Sequence, residues 1–99
     1  MLLIAWGFFV RADQVDAIYK YPHKGRGSET VRRLISEAMV RANPRDAEGN
    51  PLPSTGPRVW DICGKQKKRS VVIMRSGEMW ITPTSAKTLH KRYLTAKGA

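Results

Sequence analysis

The chain has 99 residues, 41% of them hydrophobic, which is enough for one domain and too few for two independent cores. Eighteen Lys and Arg against eight Asp and Glu leave a net charge of +10, more than solubility requires, and this points to a polyanionic partner. A single cysteine, Cys63, excludes an intramolecular disulfide, and with only two distant histidines it excludes a zinc site.

The opening MLLIAWGFFV is apolar, lacks a basic leader and a small-residue cleavage site, and at ten residues is too short to span a bilayer. It reads as a strand over 2–11, apolar on both faces as in a buried sheet. A short helix is expected over 13–21, capped by Asp13, with Val15, Ala17, Ile18 and Tyr21 partly buried. Pro22 stops it, and PHKGRG makes a turn. Ser28 then caps a second helix that runs to Ala42, where Asn43-Pro44 ends it. Val31, Leu34, Ile35, Ala38, Met39 and Ala42 recur at helical spacing and give it one apolar stripe.

Residues 43–57 (NPRDAEGNPLPSTGP) read as a Pro/Gly-rich loop. Three short strands follow, RVWDIC, SVVIM and EMWIT, the last two joined by Arg75-Ser76-Gly77 as a hairpin turn. Pro83 leads into a final helix over 84–96 with an apolar stripe of Ala86, Leu89, Tyr93 and Leu94. The expected fold class is α+β: one domain over 1–99 in the order β-α-α-β-β-β-α, with helices packed on an antiparallel sheet.

Charge is uneven along the chain. Residues 1–57 hold eight basic and six acidic side chains, whereas residues 58–99 hold ten basic ones against Asp61 and Glu78 alone. The densest run is Lys65, Lys67, Lys68 and Arg69, in the loop GKQKKR. The last helix adds Lys87, Lys91 and Arg92 on its polar face. Together they suggest one patch that neutralises backbone phosphates without reading sequence.

A second candidate is the glycine-rich turn before Ser28. A helix N-terminus attracts anions; Gly25 and Gly27 would permit close backbone approach, and Lys24 and Arg26 would add charge. Equally, the glycines answer to a turn needing positive φ. No Walker lysine follows them, so nucleotide hydrolysis is not indicated. On the helix, Glu29, Arg33, Glu37 and Arg41 stand four apart with alternating sign, a self-stabilising stripe. Arg32 lies off it and is the arginine free to reach a partner. Among the tryptophans, Trp6 and Trp60 are assigned to the core, and Trp80 is the candidate exposed ring that could stack on a base.

Residues 8–42 resemble the ribbon-helix-helix repressors of the Arc and methionine-repressor type. The likeness lies in a strand ending Val10-Arg11, a capped short helix from Asp13, a Gly-Arg turn, and a second helix reading Leu34-Ile35-Ser36-Glu37-Ala38-Met39. It implies a homodimer whose paired strands enter the DNA major groove with Gly7, Phe9 and Arg11 facing it, and a phosphate at Gly27-Ser28-Glu29. The element order, size and charge also resemble the RelE-type ribosome-dependent mRNA nucleases, for which His90, Arg92 and Tyr93 are the candidate residues. A protein-binding inhibitor of a nucleic-acid-processing machine is a third reading. The expectation is a cytoplasmic or nucleoid-associated DNA-binding regulator that favours double-stranded DNA over RNA, with a protein partner as an alternative. No catalytic residue, cofactor, metal or membrane association is assigned.

Overall fold

The apolar opening folds back on itself. In the computed structural model, which describes residues 1–98, β1 (Leu2–Ala5) and β2 (Phe8–Val10) pair as an antiparallel hairpin instead of running as one strand over 2–11. The reversal falls at Trp6-Gly7, where Gly7 takes φ +80° at no steric cost. A 3-10 turn at Ala12–Gln14 leads into β3 (Val15–Lys20). The helix expected over 13–21 is therefore this turn and a strand. Val15, Ala17, Ile18 and Tyr19 are β-branched, small or aromatic, and they pair with β5 residues Met74 to Val71.

The helix α1 (Glu29–Ala42) forms where its stripe requires. The Ser28 hydroxyl accepts from the Val31 N–H at 3.3 Å, and Asn43 caps the far end. Val31 and Ala38 are buried, while Met39 at the stripe's edge is exposed. The loop after α1 is an ordered turn. Asp46 Oδ1 accepts from the N–H groups of Glu48 and Asn50, both at 2.9 Å, and the Thr55 N–H returns to the Arg41 carbonyl.

The remaining strands are β4 (Val59–Asp61), β5 (Ser70–Met74) and β6 (Met79–Thr82), followed by α2 (Ala86–Gly98). The observed order is β-β-β-α-β-β-β-α, an α+β fold with one helix fewer than expected. The four-stranded sheet runs β3-β5-β6-β4. β5 is antiparallel to both its neighbours, but β4 lies parallel to β6, so the sheet is mixed.

This arrangement gives three layers. α1 covers one face of the sheet, with Ala38 and Ile35 against Val71, Met79 and Val59. The hairpin and α2 cover the other, joining Leu2, Ile4, Val10 and Leu89 to Val15, Ile18 and Val72. Leu2, Ile4, Val72 and Leu89 are fully buried, each worth roughly 1.5–3 kcal/mol over leaving it in water. Leu94, expected in the α2 stripe, is exposed. Among the described residues no helix is long and apolar enough to cross a membrane.

Candidate nucleic-acid interface

The mixed sheet decides where the charge goes. Because β4 and β6 run the same way, the Cys63–Arg69 loop is not a hairpin tip. It crosses the C-terminal end of β6 to reach β5. The Arg69 N–H donates to the Thr82 carbonyl at 2.9 Å, and the Arg69 carbonyl accepts from the Tyr21 N–H at 3.0 Å. Lys20 stands opposite Ser70 in the ladder. Ser70 and Thr82, both fully buried, share a 2.6 Å hydroxyl–hydroxyl hydrogen bond beneath the loop.

Two basic segments far apart in sequence thereby meet at one end of the sheet: KGRG after β3 and KQKKR before β5. Neighbouring strands lie about 4.8 Å apart, so the ends of β3, β5 and β6 span about 10 Å. That is comparable to the Debye length of about 8 Å at physiological salt, and the charges there reinforce one another. Lys24, Arg26, Lys65, Lys67 and Arg69 are exposed at this end. α2 leaves from the same end, which puts Lys87 in its first turn nearby. The acidic groups present are already engaged: Asp61 by Lys68 at 3.6 Å and Glu29 by Arg32 at 2.6 Å.

The glycine-rich turn is built from inside. Arg32 donates through Nη2 to the carbonyls of His23 and Arg26, so its fork holds the turn together. This reverses the sequence assignment, in which Arg32 is the free arginine and Arg33 the paired one. Arg33 is exposed and makes no ion pair among the described residues. Gly27 has φ +98°, and a Cβ there would stand 2.8 Å from Pro22 Cα. The glycine serves the turn, with Ser28 as the cap behind it. Lys24 and Arg26 are left on the outside of the turn, beside a Tyr21–His23 ring pair with centroids 5.8 Å apart.

Other candidates go elsewhere. Arg11 lies at the opposite end of the sheet, paired with Asp13 at 3.0 Å. Gly7 forms the hairpin turn and Phe9 is an exposed side chain of β2, already paired within its own chain. With β3 in place of the first helix, the ribbon-helix-helix likeness loses one of its four parts. On α2, Lys91 is exposed, about 6 Å farther from the basic end than Lys87 by helical rise. Arg92 donates through Nη1 to the Leu3 carbonyl at 3.2 Å, tying helix to hairpin. Tyr93 packs against the core, while His90 is exposed.

The sequence reading missed an aromatic ladder. Trp60 on β4 and Trp80 on β6 are in register and stack with centroids 5.5 Å apart and planes 21° apart. Phe8 from the hairpin packs on Trp80 at 6.4 Å, and the Arg58 guanidinium lies 5.6 Å from the Trp60 ring centre. The Trp60 N–H donates to Glu78 at 3.2 Å, fixing the ring. A shallow cleft of about 270 Å³ is lined by Trp80 with Val10, Arg11, Gln14, Met74, Ser76 and Glu78. Trp60 is 36% exposed and Trp6, on the hairpin turn, 96%, so neither belongs to the core. The available signal was the spacing: Arg58 stands just before β4, two residues from Trp60, a spacing that puts both on one face of an extended chain.

Electrostatics sharpen two groups in the loop. Partial burial pushes the Asp61 carboxyl up, but hydrogen bonding from the Cys63 N–H and the charge of Lys68 outweigh it and leave it below its ordinary value. Burial, with the negative Asp61 beside it, pushes the Cys63 thiol up to about 11, so the thiol is not an activated nucleophile. Among the described residues no cluster of three His, Cys, Asp or Glu side chains is placed to hold a metal ion.

The chain matches no known protein-family model, and none of the curated proteins matches it in sequence.

Proposed function

We propose that the protein binds nucleic acid through the basic end of its sheet, contacting backbone phosphates without reading sequence. The observation that carries this reading is the convergence of KGRG and KQKKR, joined by the Tyr21–Arg69 backbone bond. Neither segment alone exceeds an ordinary solvated loop. Together, with Lys20 and Lys87, they give a cationic surface beside three strand ends, suited to successive phosphates. A net charge of +10 adds long-range attraction to any polyanion. A regulator role would follow from occupancy of DNA rather than from base recognition. A groove-entering ribbon is not part of the proposal, because the strand expected to form it is closed into a hairpin.

Charge reversal at two places tests the location. Lys24→Glu and Lys67→Glu lie in different loops at the basic end, and Arg75→Glu lies in the β5–β6 turn at the other end. The first two are expected to weaken binding to a DNA duplex by similar factors, and Arg75→Glu much less. Equal losses from all three would mean that net charge, and not this end of the sheet, governs binding.

A further inference from the structure

α2 packs on β1, β3 and the 3-10 turn, at the β3 side of the sheet. The β6–β4 side of the same face carries no helix, and there the ladder Phe8–Trp80–Trp60–Arg58 runs out to the sheet edge. Large aromatics at such an edge ordinarily close against a neighbouring element. Here the series ends in a half-open indole and an exposed guanidinium, two groups that stack on nucleobases.

We propose that the Trp60–Arg58 end of this ladder receives an unpaired base, so that the preferred ligand is single-stranded nucleic acid. The inference rests on the phosphate-binding reading and deepens it. Its geometry has three parts. The indole of Trp60 is held in place twice, by stacking on Trp80 and by its N–H bond to Glu78. A fixed ring loses little freedom when a base stacks on it. Arg58 supplies a cation at the stacking position itself, where it can meet a base or the phosphate that follows it. The third part is place: β4, which carries Trp60, leads into the basic Cys63–Arg69 loop.

Charge decides the occupant. A second copy seated on this face would bring together two chains that each carry +10. A polyanion meets no such repulsion. In a duplex the bases already stack on one another, and the ladder end has nothing to take.

The test is a pair of anisotropy titrations at one salt concentration, with labelled oligothymidylate and with a duplex of the same length, on the full chain. The wild type is expected to bind the single strand at least about fivefold more tightly than the duplex. Trp60→Ala should reduce single-strand affinity about five- to a hundredfold and leave duplex affinity within about twofold. Trp60→Phe should retain most of the single-strand affinity, and Arg58→Ala should lose part of it. Should Trp60→Ala fail to fold by circular dichroism, Trp60→Phe and Arg58→Ala carry the comparison. Equal wild-type affinity for the two ligands, or an unchanged ratio in Trp60→Ala (in Arg58→Ala, where Trp60→Ala does not fold), would overturn the inference and leave phosphate binding standing. Binding to neither ligand would overturn both. A switch from dimer to monomer in Trp60→Ala by sedimentation, with the ratio unchanged, would assign the ladder to a second copy and overturn the inference.

Discussion

The backbone N–H of Tyr21 donates to the carbonyl of Arg69 at 3.0 Å, and this bond joins the turn that follows β3 to the loop that precedes β5. Far apart in the chain, the two residues set the geometry of the whole basic end. The strand ends that flank both segments are held by the sheet ladder and by the buried Ser70–Thr82 hydroxyl pair.

Arg32 is expected to be a stability residue. Its guanidinium bridges the carbonyls of His23 and Arg26 and pairs with Glu29. Arg32→Ala should lower stability by about 1–2 kcal/mol, the range for hydrogen bonds to a charged group that is partly solvated. Arg32→Lys should not restore it, because an ammonium lacks the planar fork that spans two acceptors. Arg33→Ala should leave the melting curve in place. Thermal melts of the three variants check the order, and a greater loss from Arg33→Ala would contradict it.

Gly27→Val should destabilise the fold by about 1 kcal/mol or more, since it forces a β-branched residue to positive φ. The new Cβ also meets Pro22 Cα at 2.8 Å. Affinity per folded molecule should be unchanged, because phosphate binding is assigned to side chains outside the turn. Denaturant titrations run beside binding curves separate the two effects. Loss of affinity with stability intact would return the glycines to a direct role at the phosphate.

Cys63 gives a signature at alkaline pH. Its folded thiol is pushed up to about 11 from an ordinary 9.0, so the folded state holds the proton more tightly than the unfolded chain does. The stabilising contribution is complete below the unfolded value and is lost as pH rises from about 9 towards 11. Cys63→Ala should therefore lose less stability than the wild type across that window, measured by denaturant midpoints. Alkylation of the native thiol near pH 8 should be much slower than that of the unfolded protein.

The elements from α1 onwards were legible from spacing, though not their pairing, and those before α1 were not, for identifiable reasons. Ser28, Val31 and Ala38 mark α1 by cap and period, and both signals survive folding. In β3 a register shift between Val15 and Ala17 breaks the strand's alternation. Val15 and Ile18 then face the same core three positions apart, a spacing that imitates a helix. In the opening ten residues both strands of the hairpin are rich in apolar side chains, so Trp6-Gly7 gave no change of pattern to mark the reversal. Strand direction is invisible to hydrophobic pattern altogether. The loop between β4 and β5 is long enough to close a hairpin or to cross one strand, and only the crossing brings Lys65–Arg69 beside Lys24 and Arg26. The ladder went unseen because the pairing of β4 with β6, which sets Trp60 beside Trp80, leaves no mark in the hydrophobic pattern.

The most direct measurement of the central claim is the salt dependence of duplex binding, compared between the wild type and a variant with Lys65, Lys67, Lys68 and Arg69 replaced by alanine. Removing one phosphate interaction should flatten the slope of log K against log salt by about 0.9 on B-form DNA, so the variant is predicted to be both weaker and shallower. An unchanged slope with unchanged affinity would contradict the claim that the basic end of the sheet is where nucleic acid binds.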